Sequence, residues 1–171
     1  MEKAYVQVYT GNGKGKTTAA FGLALRAICA NKKVYIGQFI KGMEYSELKA
    51  VEYLPGLKIE QFGRDCFINK DPESEDFKCA LEGFDKIKDI LKNGEYDLVI
   101  LDELNVATFY ELVDVDEVIE VLKKRAPHVE VVITGRYADE KIIDFADLVT
   151  EMKEIKHYYR NGVKARVGIE K

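Results

Sequence analysis

The sequence predicts a three-layer α/β domain, in which a mostly parallel β-sheet carries helices on both faces and a C-terminal antiparallel hairpin lies beside it. Short apolar runs rich in Val, Ile, Tyr and Phe recur along the chain, as buried parallel strands do. Amphipathic segments with helical spacing separate these runs, which indicates crossover connections. Finally, the pair Asn161-Gly162 stands between two late extended runs and is a strong short-range hairpin signal.

Five parallel strands are predicted in chain order. They are "AYVQVYT" (4–10), "VYIGQFI" (34–40), "KIEQF" (58–62), "DLVILDE" (97–103) and "VEVVITG" (129–135). The Ala-rich run "TTAAFGLALRA" predicts a helix directly after the first strand. Apolar residues at helical spacing predict further helices over 76–91 and 114–124, and the second of these has acidic residues in its first turn. The hairpin would pair "LVTEMKEI" with "VKARVGIE".

Length and composition limit what such a domain does. At 171 residues and 47% hydrophobic content, the chain fits one domain, 1–171, with one buried core. Its net charge of -4 provides no general positive field, so neither nucleic acid nor an anionic membrane is an expected partner. No apolar run approaches the ~20 residues of a membrane span or forms a signal peptide. Cys29, Cys66 and Cys79 form no C-x-x-C pair, which favours reduced thiols and a cytoplasmic location.

A glycine-rich segment, "TGNGKGKTT" at 10–18, stands between the first predicted strand and the first predicted helix. It follows the phosphate-binding pattern G-x-x-x-x-G-K-[ST], except that Thr10 replaces the first glycine. Backbone N–H groups and the helix N-terminus would face an anion, Lys16 would reach phosphate oxygens, and the Thr17 hydroxyl would ligate Mg²⁺. The segment therefore predicts a P-loop NTPase domain of RecA-like type. Its predicted phosphate-binding residues are Gly11, Asn12, Gly13, Lys14, Gly15, Lys16, Thr17 and Thr18.

A metal ion on bound phosphates needs a second protein oxygen, and the strand "LVILDE" ends in Asp102 and Glu103. A carboxylate at the carboxyl end of a neighbouring strand would face the Thr17 hydroxyl across the ligand site of an open α/β sheet. Either carboxylate, directly or through water, fits the role of Mg²⁺ ligand. The competing interpretation, a solvated acidic loop, is weaker because apolar residues bury the preceding backbone.

Several other polar side chains are candidates for the rim of the same crevice. Lys41 and Arg136 follow the second and fifth predicted strands, although each alone fits an ordinary surface side chain equally well. Arg26 lies two steps of four residues from Thr18 on one face of the first helix, so it is predicted to approach the bound nucleotide. His157, in "KHYY", is interpreted as structural rather than as a base.

Other classes of P-loop protein fit the chain poorly. The guanine motif N-K-x-D is missing, because neither "NKKV" nor "NKDP" matches it. Paired cysteines for a zinc-held lid are missing as well, and residues 137–150 contain no Arg for the lid of a nucleoside monophosphate kinase. Nothing in the pattern positions a phosphoryl acceptor.

Nearly end to end, the chain resembles a known family, the P-loop type of ATP:corrinoid (cob(I)alamin) adenosyltransferases. The matching blocks, in the family's order, are "YTGNGKGKTTAAFGLALRA", "IGQFIKG", "LDELN", "TGRYADEKIIDFADLVTEMKEIKH" and "NGVKARVGIE". The loop of that family reads G-N-G-K-G-K-T. The resemblance therefore implies that the missing glycine at position 10 is a feature of the family and not a sign of a lost site.

The resemblance implies transfer of the 5′-deoxyadenosyl group of ATP to the cobalt(I) of a corrinoid, with release of triphosphate, in the synthesis or salvage of adenosylcobalamin. In that family ATP lies reversed along the loop, so that C5′ rather than the γ-phosphorus faces the second substrate. No general base is needed, because cobalt is the nucleophile. The resemblance implies Lys16, Thr17 and Glu103 as catalytic residues, Thr17, Asp102 and Glu103 at Mg²⁺, and Arg26 and Arg136 at ATP.

The resemblance also implies a corrinoid pocket with Lys41, Phe67 and Asn69. Phe67, in "FGRDCFIN", matches the first of two aromatic residues with which the family displaces the lower axial ligand of cobalt. The second aromatic, usually Trp, falls at Asn69, and the chain contains no Trp. Either another aromatic, such as Phe62, Tyr45 or Tyr53, closes the pocket, or this chain handles the axial ligand differently. Phe67 also fits a plain core residue.

Beyond the site, the resemblance implies a flavoprotein reductase as electron donor. Family members often carry an N-terminal helix that covers the active site of a dimer mate; only three residues precede the first predicted strand here, which weakens the expectation of a homodimer. The alternative function is a P-loop regulatory or ATPase module that binds ATP and acts on a protein partner. The two functions differ in their products, because the transferase releases triphosphate and the ATPase releases ADP and phosphate.

Overall fold

The computed structural model describes residues 3–63 and 73–171. The strands are β1 (Val6–Thr10), β2 (Val34–Phe39), β3 (Leu57–Phe62), β4 (Leu98–Asp102), β5 (Glu130–Thr134) and β6 (Leu148–Glu151). The helices are α1 (Lys16–Cys29), α2 (Ala50–Tyr53), α3 (Ser74–Asn93), α4 (Leu104–Phe109), α5 (Val115–Lys123) and α6 (Glu140–Phe145). The strands form one six-stranded sheet in the order β3-β2-β4-β5-β1-β6, and every pair is parallel.

Helices cover both faces of this sheet, so the predicted three-layer α/β class is confirmed. On one face, the small residues of α1 pack against Ile36, Ile100 and Val132. On the other face, α3, α4, α5 and α6 pack against the alternate positions of the same strands, including Phe39 and Val99. This division arises because successive side chains of a strand point to opposite faces of the sheet.

Local signals bound the helices that the sequence predicts. The Asp76 side chain accepts a hydrogen bond of 2.8 Å from the Glu73 backbone N–H in the capping box of α3, and Gly94 ends that helix with a φ of 65°. The Asp114 side chain accepts a bond of 2.9 Å from the Glu117 backbone N–H at the start of α5. The sequence did not predict α2, α4 and α6, because helices of four to six residues are too short to show a periodic pattern.

The predicted C-terminal antiparallel hairpin does not form. Strand β6 instead pairs in parallel with β1, and residues 163–170 contain no strand. Asn161 ends a 3-10 helix, Tyr158–Asn161, and Gly162 follows it with a φ of 82°. The Asn-Gly pair does favour a left-handed turn, but the free edge of β1 supplies the backbone partners that set the direction of β6.

The strand order separates the glycine-rich loop from the acidic strand end. Strand β5 lies between β1 and β4, so β4 is not the immediate neighbour that the sequence suggested. Because all strands are parallel, the ends of β1, β4 and β5 still open on the same edge of the sheet. Within residues 3–63 and 73–171, no helix is both long and apolar enough to cross a membrane.

Candidate active site

A cavity of about 660 Å³ opens at the carboxyl ends of the strands, above the glycine-rich segment 10–18, the phosphate loop. Residues that follow β1, β2, β4 and β5 line it, as is usual for ligand sites of parallel α/β sheets. Its volume lies within the range of roughly 300–1,000 Å³ found for small-molecule sites. The predicted ATP-site residues that line it are Asn12, Gly13, Lys14, Gly15, Lys16, Thr17, Thr18 and Arg136.

The phosphate loop turns sharply between β1 and α1. Gly11 and Gly15 adopt left-handed φ angles of 95° and 118°, which a glycine reaches without steric cost. Lys16 is folded back onto this loop, and its Nζ donates hydrogen bonds of 2.8 Å to the carbonyl oxygens of Gly11 and Gly13. Burial lowers the pKa of Lys16, and the nearby Arg136 adds to this effect. The ammonium group is thus satisfied by carbonyls that phosphate oxygens can replace.

The segment after β6 packs against the phosphate loop. The Gly13 backbone N–H donates a bond of 2.6 Å to the Met152 carbonyl, and the Met152 N–H donates one of 2.8 Å to the Thr10 carbonyl. A Cβ atom at Gly13 would lie 2.7 Å from that Met152 oxygen, and one at Gly11 would lie 2.5 Å from it. Both glycines therefore permit the close approach of Met152. The sequence assigned the Gly13 N–H to a bound anion, whereas in the structure it bonds to Met152.

The buried Asp102 carboxylate lies at the centre of a hydrogen-bond network. Its Oδ1 accepts bonds from the hydroxyls of Thr17, at 2.9 Å, and Thr134, at 2.6 Å. Its Oδ2 accepts bonds from Gln38 Nε2, at 3.1 Å, and Lys41 Nζ, at 2.7 Å. The structure thus brings Thr17 and Asp102 together across β5, whose final residue, Thr134, stands between them.

Glu103 turns from the end of β4 toward the cavity that it lines. It adopts a left-handed φ of 60°, which is uncommon for a residue with a side chain, and its backbone N–H donates a bond of 3.1 Å to the Thr134 hydroxyl. Burial raises the pKa of the Glu103 carboxyl, the adjacent Asp102 raises it further, and Lys41 partly offsets both effects. The end of β4 therefore carries two adjacent carboxylates in different surroundings: Asp102 lies within a buried hydrogen-bond network, and Glu103 lines the cavity.

Arg136 enters the cavity from the turn after β5. Gly135, which precedes it, adopts a φ of 129°, and its backbone N–H donates a bond of 3.2 Å to the Tyr9 carbonyl. The Asn105 side chain donates a bond of 3.1 Å to the Gly135 carbonyl, and the two residues are in close contact. Asn105 is fully buried, and its Oδ1 has no hydrogen-bond partner within the described part of the chain. This amide thus fixes the turn that points Arg136 into the cavity.

Two further predicted site residues, Lys41 and Arg26, lie in different cavities. Lys41 lies against Asp102 and lines the cavity above the phosphate loop, at the crevice rim that its position after the second strand predicted. Its assignment to a corrinoid pocket stays a prediction. Arg26 lines a second cavity, of about 540 Å³, near the start of β4 together with Leu98. It follows Lys16 by ten residues, which is roughly 15 Å along a helix axis. The rise of α1 therefore carries Arg26 away from the phosphate loop, despite its position on the same helical face as Thr18.

Of the predicted corrinoid pocket, Phe67 and Asn69 lie outside the described residues. The Phe62 ring packs edge-on against Phe39, with a centroid distance of 5.3 Å, and belongs to the core. Tyr53 is exposed on the surface. Among the three alternative aromatic residues, Tyr45 is the one that lines the cavity above the phosphate loop.

The site includes residues that the sequence did not single out. Gln38 lies within the fully buried strand β2, and Thr134 is the buried last residue of β5. A buried polar residue in an apolar run is itself a signal of a functional or hydrogen-bonded position. The C-terminal turn closes one side of the cavity: Lys14 Nζ donates to the Ile169 carbonyl at 3.3 Å, and Ser46 Oγ donates to the Lys171 carbonyl at 2.9 Å. No local pattern predicts these long-range contacts.

His157 also lines the cavity, next to this turn. Its Nδ1 accepts a bond of 3.1 Å from the Tyr159 backbone N–H, so that its side chain caps the 3-10 helix. This contact agrees with the structural role that the sequence favoured for His157.

The similarity to known proteins covers nearly the whole chain. A family model for ATP:corrinoid adenosyltransferase BtuR/CobO/CobP matches residues 2–170. A corrinoid adenosyltransferase of Sinorhizobium sp is 39% identical over 173 residues, covering 99% of this chain and 81% of that relative. Corrinoid adenosyltransferases of Escherichia coli K12 and of Salmonella typhimurium LT2 are each 36% identical over 169 residues, covering 99% of this chain and 86% of theirs. The chain therefore belongs to the ATP:corrinoid adenosyltransferase family.

Proposed function

We propose that the cavity above the phosphate loop is the site at which this chain transfers the adenosyl group of ATP to a corrinoid. Family membership makes the chain a corrinoid adenosyltransferase, an enzyme that adenosylates a corrinoid with ATP for cobalamin synthesis. The observation that carries the placement is the 2.9 Å bond between Thr17 and the fully buried Asp102. It joins the start of α1 to the end of β4 beside a cavity that the phosphate loop lines.

Lys16 and Arg136 are proposed to bind the triphosphate, together with Lys14 and the first backbone N–H groups of α1. In the reaction, a bond forms between cobalt and C5′, the bond between C5′ and its oxygen breaks, and triphosphate leaves with the electron pair. The leaving group gains negative charge as that bond breaks, so preorganised cations around it lower the barrier. Lys16 suits this role because its ammonium already donates hydrogen bonds to loop carbonyls beside the cavity. Only a short side-chain movement is needed for it to reach the triphosphate.

We also propose Mg²⁺ at Thr17 and Asp102, with Glu103 as the second carboxylate. These side chains offer the hard oxygen donors that Mg²⁺ prefers. Within residues 3–63 and 73–171, no group of three or more His, Cys, Asp or Glu residues forms a site of its own. Mg²⁺ commonly combines one or two protein carboxylates with phosphate oxygens and water, so the residues present fit this ion. When bound, it would neutralise charge on the departing triphosphate.

The remaining roles rest on the family resemblance. We infer that Phe67 and Asn69 line the corrinoid pocket and that a flavoprotein reductase supplies the electron that produces cobalt(I). A homodimer and a cytoplasmic location belong to the same proposal, and the free thiols of Cys29 and Cys79 support reducing surroundings. Family membership does not favour the alternative of a regulatory or ATPase module that acts on a protein partner.

The test combines purified protein, ATP, Mg²⁺ and chemically reduced cobalamin. We expect inorganic triphosphate as the product, together with the absorbance spectrum of a light-sensitive cobalt–carbon species. Lys16→Ala should abolish most of this activity, whereas Lys92→Ala, on the exposed side of α3, should retain it. Formation of ADP and phosphate with an unchanged corrinoid spectrum would contradict the proposal.

A further inference from the structure

The Lys41 ammonium lies between the two groups that we propose as ligands of the metal. Its Nζ is 2.7 Å from Asp102 Oδ2 and 3.4 Å from the Thr17 hydroxyl. Glu47 Oε1 lies 3.8 Å away, and the Tyr45 ring covers the ammonium at 5.3 Å from its centroid. A cation thus already lies where a divalent ion would need to bind.

Charge balance explains why a cation lies there. The Asp102 side chain is fully buried, and that of Lys41 is 15% exposed. A buried carboxylate without a counter-charge is strongly disfavoured, and Gln38, Thr17 and Thr134 supply only neutral donors. Within the described ranges, Lys41 is the one residue in an ion pair with Asp102.

The backbone holds Lys41 in this position. Ile40, directly before it, has a φ of 64°, a left-handed conformation that is rare for a β-branched residue. A Cβ atom at Gly63 would lie 2.6 Å from both Ile40 C and Lys41 N, so the glycine after β3 leaves room for this turn. Strained backbone of this kind persists only where the surrounding structure enforces it, and it is typical of functional sites.

We propose that Lys41 is a built-in counterion that occupies the divalent-cation position until ATP arrives, and then moves to the triphosphate. The inference rests on the metal position proposed above. A tethered ammonium has a high effective concentration at Asp102, so a free divalent ion competes poorly for it. When the metal enters together with ATP, the phosphate oxygens offer the displaced ammonium a new partner in the same cavity. Lys41 therefore makes metal binding depend on the nucleotide.

The first experiment measures Mn²⁺ binding by electron paramagnetic resonance without any nucleotide. Lys41→Gln keeps a hydrogen-bond donor near Asp102 but removes the charge, so we expect Mn²⁺ to bind at least about tenfold more tightly than to the wild type. Lys49→Gln removes the same charge from an exposed lysine near the cavity, at the end of the 3-10 helix Ser46–Lys49, and no role at Asp102 or at the triphosphate is proposed for Lys49. It should leave Mn²⁺ affinity nearly unchanged. Equal affinity in the wild type and Lys41→Gln, or an equal gain in both variants, overturns the inference.

The second experiment uses the wild type, so it does not depend on how the variants fold. We expect Mn²⁺ binding to require inorganic triphosphate, with the signal of Mn²⁺ and triphosphate alone subtracted. Equally tight binding without triphosphate overturns the inference. If thermal melting shows that Lys41→Gln is unfolded, Lys41→Met takes its place in the first experiment with the same expected result.

Asp102→Asn distinguishes an error in the proposed metal position from an error in the proposed role of Lys41. If Mn²⁺ with triphosphate binds to Asp102→Asn as it does to the wild type, then the metal position itself is wrong. If Asp102→Asn loses this binding while both neutral Lys41 variants behave as the wild type does, then only the role of Lys41 is wrong.

Discussion

Replacement of Gly13 by Ala tests whether the phosphate loop is held by the segment after β6. The new Cβ atom would lie 2.7 Å from the Met152 carbonyl oxygen, where ordinary contacts begin near 3.4 Å. Met152 or the loop must therefore move by about 0.7 Å, and this shift weakens the 2.6 Å bond between the Gly13 N–H and Met152. The substitution thus perturbs the protein even in the absence of ATP.

The expected loss of stability follows from these contacts. Overpacking of this kind costs ~1–3 kcal/mol, and a weakened backbone hydrogen bond adds up to ~1 kcal/mol. The reduced entropy of the unfolded chain returns ~0.4–1 kcal/mol. From the midpoints of these contributions, we expect Gly13→Ala to lower the free energy of unfolding by about 2 kcal/mol and the Tm by roughly 4–8 °C.

The assay is thermal and urea unfolding of the nucleotide-free protein, with Gly22→Ala as the matched control. Gly22 is an exposed residue within α1, and a Cβ atom there would meet nothing within 4 Å. Since Ala favours a helix over Gly, this control should gain about 0.5–1 kcal/mol. A Gly13→Ala protein that melts as the wild type does, yet no longer binds ATP, would refute the contact with Met152 and leave only a role at phosphate.

Three further predictions concern charged and hydroxyl groups. Lys16→Ala should lower kcat by roughly 10²–10³, because one preorganised donor to the leaving group is lost; an unchanged single-turnover rate at saturating ATP would contradict this. Thr17→Val should raise the Mg²⁺ concentration needed for half-maximal rate while folding remains intact, and an unchanged metal dependence would remove Thr17 from the metal site. Glu60 accepts bonds from Tyr35 and Lys86, which lower its pKa although burial opposes them, so its stabilising contribution is present at neutral pH and disappears in acid. Glu60→Gln should therefore lower the free energy of unfolding by ~1 kcal/mol at pH 7. The difference should decline as the pH falls below the ordinary carboxyl pKa of about 4.3 and disappear only below the lowered pKa of folded Glu60; a constant difference across this range would show another cause.

Much of the fold could be predicted because its signals are local. Continuous apolar runs such as that of β4 have few alternatives to a buried strand, and the repeat in α3 spans enough turns to be seen. The hairpin prediction was wrong for the opposite reason. The Asn161-Gly162 pair specifies a turn, but whether the flanking runs pair with each other depends on an open sheet edge, and β1 offered one to β6.

In the candidate site, too, some positions could be predicted from the sequence and others could not. Thr17 and Asp102 could be predicted because each follows or ends a buried strand, and parallel strands bring such ends to one edge. Arg26 shares a helical face with Thr18, but helical periodicity says nothing about the distance along the axis at which a ligand lies. The contacts of Lys41 could not be predicted, since they depend on the left-handed turn at Ile40 and on the space left by Gly63.

By itself, the sequence determined the chemistry available to this protein: a glycine-rich loop with Lys16 and Thr17, two carboxylates after an apolar strand, and the order of motifs that marks its family. These features are encoded over short stretches, where residue type and spacing act directly on the backbone. Only the tertiary structure decided that Gly13 bonds to Met152 and that Lys41 neutralises Asp102. Such contacts join residues far apart in the chain, and their energies depend on burial and on fractions of an ångström that no local pattern specifies.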